Sequence, residues 1–196
     1  MTGDGIIDAD VLLAAYAAGY FPMADSRGGP IHWYSPDPRA IFPLEKLNIS
    51  RSLRQTVKKR RSETRIDTSF EWVIRECAVR DETWISEEIV QSYLQLHRLG
   101  YAHSVETWHG SDLAGGLYGV ALGAAFFGES MFSRERDASN VALVCLAERL
   151  QSHGFELLDT QFITPHLRRL GAVEISREQY LSLLAKAITK PCKFAD

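Results

Sequence analysis

Leu113-Ala-Gly-Gly-Leu-Tyr-Gly-Val-Ala-Leu-Gly-Ala-Ala-Phe-Phe-Gly-Glu-Ser-Met-Phe-Ser133 is a long, nearly uncharged stretch of the chain. It splits into two apolar runs, Leu113–Leu122 and Ala125–Phe132, with a turn between them. With Ala102–Trp108 before it, the segment predicts an antiparallel meander. Its twenty-one residues carry one charge, Glu129. An isolated buried carboxylate is too costly to keep, so Glu129 must be paired, hydrogen-bonded or in contact with a ligand.

Working outward, Ala138, Val141, Ala142, Cys145, Leu146 and Leu150 follow the 3.6-residue period and predict a helix stopped at Gly154. Phe155–Gln161 then reads as a buried strand. Asp159 and Gln161 stand two apart on it, so the strand period directs both to one face. Helices are expected over Val11–Ala18 (with Asp10 as N-cap), Ser50–Arg61, Ser69–Val79, Ser86–Leu99, Pro165–Leu170 and Arg177–Ile188, and a strand over Ala172–Ile175. Residues 24–39, rich in Gly, Pro, Ser and Asp, read as a join between a small N-terminal unit (1–35) and the main body (36–196). The fold class is α/β (α+β): a mixed, mainly antiparallel sheet flanked by helices.

Composition narrows the function. A chain of 196 residues with 45% apolar content can bury a core. A net charge of −3 excludes a uniformly basic nucleic-acid binder, although Arg51, Arg54, Lys58 and Arg61 fall on one helical face. That face is either a solvated surface or a contact for a phosphate backbone. Cys77, Cys145 and Cys192 lack metal spacing and fit a reducing cytosol. The first residues lack a signal-peptide pattern, and the Gly-rich stretch is too broken to span a bilayer. No histidine pair has metal-binding helical spacing, and no phosphate-binding glycine loop is present. Gly128-Glu129-Ser130-Met131-Phe132 lacks the final glycine of a nucleophile elbow. Neither a metal nor a cofactor is expected.

Several blocks then occur in one order: Phe21-Pro22-Met23, Trp33–Arg39, Ser50–Arg54, Thr83-Trp84-Ile85, Ala102–Glu106, Gly115–Gly119, Gly128–Ser133 and Asp159-Thr160-Gln161. From about Asp10 to about Ile188 the chain resembles the leucyl/phenylalanyl-tRNA–protein transferases. The resemblance implies an acetyltransferase-like main domain in a bacterial cytoplasmic enzyme. That enzyme would move Leu or Phe, less readily Met, from aminoacyl-tRNA to the N-terminal Arg or Lys of a protein, marking it for degradation.

The resemblance places Asp159 and Gln161 at the reacting centre. Because the aminoacyl ester is already activated, the enzyme has to align amine and ester, manage a proton and stabilise an oxyanion. The Gln161 carbonyl oxygen is expected to orient the attacking amine. Asp159 would position Gln161 and favour the charge developing on that amine. Glu129 would meet the acceptor's cationic side chain or its amine, the alternative being an ion pair with an Arg from a neighbouring helix. Met131, beside Ser130, leads the candidates for the apolar donor pocket, followed by Phe126, Phe127 and Leu146. Trp84 is assigned to stacking on the terminal adenosine. The chain departs from the family pattern at Met23, where many members carry Trp, at Asn140, often Lys, and at Thr164, sometimes Asn. Two other classes stay open: an acyl-CoA N-acetyltransferase and a non-catalytic tRNA-binding module.

Overall fold

A computed structural model describes residues 5–46, 48–49, 51–58, 62–79 and 83–195. A seven-stranded sheet runs in the order β4 (Glu63–Ile66), β5 (Ala102–His109), β6 (Asp112–Leu122), β7 (Ala125–Ser133), β8 (Leu157–Gln161), β3 (Arg39–Phe42), β9 (Val173–Ile175). Its neighbours are antiparallel except for β7 and β8, which run parallel and are joined through helix α5 (Ala138–Ser152). This is the mixed, mainly antiparallel sheet expected from the sequence.

The apolar runs are continuous because both sheet faces are covered. Successive residues alternate between two cores. Tyr118, Phe127 and Leu157 join one, with α1 (Ala9–Ala17), α3 (Phe70–Ala78), α4 (Glu87–Arg98) and α7 (Arg177–Ala187). Leu117, Phe126 and Leu158 join the other, with Leu143 and Leu146 of α5 and with Phe194. Helix α2 (Arg51–Lys58) packs outside α5, where Leu53 meets Val141 and Val144. One buried acid, Glu106, faces the first core and makes no ion pair among the described salt bridges, although Arg65 stands opposite it on β4. It accepts hydrogen bonds from the Ser69 N–H at 2.7 Å, Ser104 Oγ at 2.8 Å and Trp108 Nε1 at 3.0 Å, and from Thr68, and so pins the start of α3.

Three expectations change. Helix α1 is capped by Asp8, not Asp10: the Asp8 carboxylate accepts the N–H groups of Asp10 and Val11, and Asp10 sits in the first turn, where its charge suits the helix dipole. Residues 24–39 are not a plain join. β1 (Phe21–Ala24) pairs antiparallel with β2 (Ile31–Tyr34) around the turn containing Gly28 and Gly29. Leu12, Tyr16 and Phe21 share one core with Tyr93 and Phe127, so this N-terminal segment packs into the main body. Finally, β3 and β4 are strands the sequence reading does not assign. Each has four residues, and β3 is buried throughout, which leaves no alternation to read.

Glu129 sits at a bulge. Tyr118 pairs with Ser130 and Gly119 with Gly128, so Glu129 is the extra residue on β7. Gly119 permits this close approach: a Cβ there would lie 2.2 Å from the Phe127 carbonyl oxygen. Gly119→Ala is expected to cost about 1–3 kcal/mol, as overpacked sites do. Urea unfolding checks this, and a variant as stable as the parent would show that the bulge does not depend on glycine.

Candidate active site

β7 and β8 pair only through Ala125–Leu157, Phe126–Leu158 and Phe127–Asp159; beyond that they separate. Two cavities lie at the gap. The larger, about 320 Å³, is walled by Phe21, Met23 and Trp84 on one side of the chain order and by Phe162, Thr164 and His166 on the other. The smaller, about 90 Å³, is lined by Phe42, Leu117, Leu143, Leu146 and Leu158 and is strongly apolar. Both share Glu129, Ser130, Met131, Thr160, Gln161 and Leu167. Wider surface grooves of about 640 and 750 Å³ elsewhere contain none of the residues marked for chemistry.

β8 carries its own bulge. Ala40 pairs with Gln161 and Ile41 with Asp159, so Thr160 is unmatched, and Gln161 takes a left-handed backbone with φ of 59°. For a residue other than glycine this conformation costs about 1–2 kcal/mol. The bulge breaks the simple two-residue period. Gln161 Nε2 donates to Glu129 Oε1 at 3.2 Å, whereas Asp159 turns into the core and lines neither cavity. Asp159 instead accepts Arg39 Nε at 2.9 Å and Nη2 at 2.6 Å, together with the Tyr180 hydroxyl at 2.9 Å. Its Oδ1 also accepts the Gln161 backbone N–H at 2.9 Å. Asp159 thus pairs with Arg39 and holds the Gln161 backbone, and it reaches the cavities through Gln161 and not directly.

Glu129 is half-buried, open to the cavity but enclosed by protein on its other sides. The Tyr16 hydroxyl donates to its Oε1 at 2.7 Å, and Tyr16 also hydrogen-bonds Tyr93. There is no ion pair with a helix Arg among the described salt bridges. Burial raises the Glu129 carboxyl to about 8; the Tyr16 hydrogen bond pulls the other way, and Asp159 adds a smaller repulsion. Burial, then the nearby Glu129 charge, pushes both tyrosines well above their ordinary range. Burial also works against the Arg39 charge, but Asp159 more than offsets it and the guanidinium pKa is raised.

Of the other expected residues, Trp84, Ser130 and Met131 line the larger cavity and Leu146 the smaller. Phe127 lines neither. It is fully buried with its ring 4.8 Å from that of Tyr16, because it precedes the bulge and keeps the core-facing direction, so its expected substrate contact is corrected. Phe126 is likewise in the core. Of the basic residues, Arg51, Arg54 and Lys58 belong to α2, with Arg54 exposed, and Arg61 lies outside the described residues. Met23 and Thr164 line the larger cavity, and Thr164 Oγ1 also caps α6 (Pro165–Leu170). Asn140 hydrogen-bonds His166 at 3.0 Å. The sequence reading misses Arg39, Tyr16, Tyr93 and Tyr180. Only Arg39 leaves a signal there, as a lone cation opening the apolar run Ala40-Ile41-Phe42. Among the described residues no group of His, Cys, Asp or Glu is arranged to hold a metal ion, and no helix is long and apolar enough to cross a membrane.

The raised Glu129 carboxyl has a consequence for stability. Folded chains keep this proton up to about pH 8, whereas unfolded chains lose it near 4.5. Its contribution is therefore complete below about pH 4.5 and falls by up to about 1.4 kcal/mol per unit as pH rises towards 8. Glu129→Gln removes this term, so the variant should gain stability relative to the parent between about pH 5 and pH 8. Urea unfolding at both values measures it; an unchanged difference would mean that the carboxyl is not raised.

Comparison with known proteins identifies the family. A family model for leucyl/phenylalanyl-tRNA protein transferase matches residues 41–185, and one for the N-terminal domain of the same proteins matches residues 5–37. The transferase of that name from Gloeobacter violaceus is 54% identical over 185 residues, covering 94% of this chain and 96% of its own length. That from Herpetosiphon aurantiacus is 53% identical over 183 residues, covering 93% and 95%. Among solved structures, L-PGS from Bacillus licheniformis is similar over 83% of this chain and 56% of its own, with 12% identity and a TM-score of 0.44. A GCN5-related N-acetyltransferase-like protein from Streptococcus suis aligns over 85% and 64%, with 14% identity and a TM-score of 0.36. Those two scores are too low to carry an argument, whereas the sequence matches span nearly the whole chain: it belongs to the leucyl/phenylalanyl-tRNA protein transferase family, a family of aminoacyltransferases.

Proposed function

We propose that this chain moves Leu or Phe, and less readily Met, from its aminoacyl-tRNA to the N-terminal Arg or Lys of an acceptor protein. The observation that carries this reading is the pair of cavities meeting at Glu129 and Gln161, one apolar and about 90 Å³, the other larger and walled in part by Trp84. The smaller cavity suits the donor's apolar side chain. The larger suits the aminoacyl ester and terminal adenosine, with Trp84 as a stacking surface. The N-terminal unit, up to about residue 35, contributes Phe21 and Met23 to that wall, and the rest of the chain forms the catalytic body.

The acceptor's α-amine attacks the ester carbonyl carbon. A carbon–nitrogen bond forms, the bond to the ribose oxygen breaks, and the proton lost by nitrogen replaces the one that oxygen needs. Gln161 is too weak a base to drive this step. With its amide nitrogen on Glu129, its carbonyl oxygen is left to accept an N–H of the amine and set the line of attack. Glu129 meets the incoming cationic group, whose charge favours the ionised carboxylate and lowers its pKa from the raised value of the empty site. Activation resides in the ester, so neither metal nor cofactor enters the scheme. Modification of this kind marks the acceptor for degradation in the cytoplasm. The basic residues Arg51, Arg54, Lys58 and Arg61 are assigned to the tRNA backbone.

Labelled Leu-tRNA and Phe-tRNA, offered with a reporter protein beginning in Arg, Lys or Ala, test the reading. Label should pass to the Arg and Lys forms and not to the Ala form; no transfer to any of them would refute it. Gln161→Ala and Glu129→Gln are expected to lower turnover about 10- to 100-fold, the scale of lost alignment. Trp84→Ala should weaken binding of charged tRNA about 5- to 150-fold, the equivalent of one lost stacking contact. Full activity in the first two, or unchanged binding in the third, would remove those residues from their roles.

A further inference from the structure

We propose that Arg39 is a positioning residue for transfer, acting on the reacting centre through Asp159 and the backbone of Gln161. The inference rests on the reading of Gln161 given above. Arg39 is 1% exposed and Asp159 is fully buried, so the pair is desolvated on both sides. Nε and Nη2 grip the two carboxylate oxygens, Nη1 donates to the Gly19 carbonyl at 3.1 Å, and the guanidinium lies between the rings of Phe21 at 4.7 Å and Tyr180 at 4.4 Å. Every direction in which the side chain could drift is closed.

The grip matters because Asp159 Oδ1 is shared. It accepts Arg39 Nε and also the N–H of Gln161, the residue held in the left-handed region. A non-glycine residue stays in that region only when its surroundings over-determine it. Here Ala40 pairs with the Gln161 backbone and Glu129 accepts its side chain, and its own N–H is fixed by one oxygen whose place is set by a two-pronged donor. Buried ion pairs add little stability over an apolar substitute, so the effect of this one lies in geometry. Lysine keeps the charge but has no planar fork, and cannot fix both oxygens at once. Arg39 lines neither cavity, so it has no direct route to substrate.

The test is a double-mutant cycle on transfer from Leu-tRNA to an Arg-headed reporter. Arg39→Lys should lower kcat at least about tenfold while KM for charged tRNA stays within about twofold, as expected when alignment alone is lost. In a Gln161→Ala background the same substitution should cause no further loss, because residues that act in series do not add. Tyr180→Phe removes only the hydroxyl that donates to Asp159 Oδ2 and should show a smaller loss with the same non-additivity. It serves as the readout if Arg39→Lys does not fold. A parent that transfers nothing would sink the reading of the site. A parent that transfers, with an equal fold-loss in both backgrounds or an unchanged kcat in the first, would overturn the positioning role alone.

Discussion

The short parallel pairing between β7 and β8 is the constraint on which the rest of the structure depends. Three residue pairs hold the strands together, and each strand then bulges, at Glu129 on one and at Thr160 on the other. A bulge adds one residue against its neighbour, which bends the strand and redirects the side chains that follow. With both central strands bent at the same level, the sheet opens without losing its core on either side. The gap is then lined by backbone and side chains whose positions the buried halves of the strands fix. Gly119 on one flank makes room for the first bulge, and on the other the Asp159 carboxylate gripped by Arg39 accepts the N–H of Gln161 at the second.

Two carboxylates, Asp159 fully buried and Glu129 half-buried, stand near this gap and receive opposite treatment. Asp159 is matched by a forked cation and two further donors, so its charge is spent inside the protein. Glu129 meets neutral donors, Tyr16, Tyr93 and Gln161, and burial holds its proton to about pH 8. Environments that push two acids apart commonly divide their roles. In the function we propose, the matched one supports Gln161 and the unmatched one receives a cation that arrives with substrate. Such an arrangement suits amide formation from an activated ester, where alignment does most of the catalytic work.

Much of this was legible in the residues. The apolar runs around Gly123 gave β6 and β7 within a residue or so, and the spacing from Ala138 to Leu150 gave α5 with Gly154 beyond it. Glu129 announced itself as the one charge in an apolar stretch. What the residues hid has physical reasons. β3 is short and buried on both faces, so neither length nor alternation marks it. Asp159 and Gln161 obey a period of two only while the strand is regular, and the bulge at Thr160 is set by tertiary pairing with Ala40 and Ile41. Arg39 lies 120 positions from Asp159, and Tyr16 lies 113 from Glu129, separations that no local pattern encodes.

In the function we propose, the opening between the two bent strands receives the aminoacyl end of the donor. A crystal structure with adenosine carrying leucine through a 3′ amide, which cannot be cleaved as the ester is, measures this directly. The account predicts the leucine side chain among Leu143, Leu146 and Leu158, with its carbonyl beside Gln161. A leucyl group bound elsewhere, with the cavity between Glu129 and Gln161 still free, would contradict it.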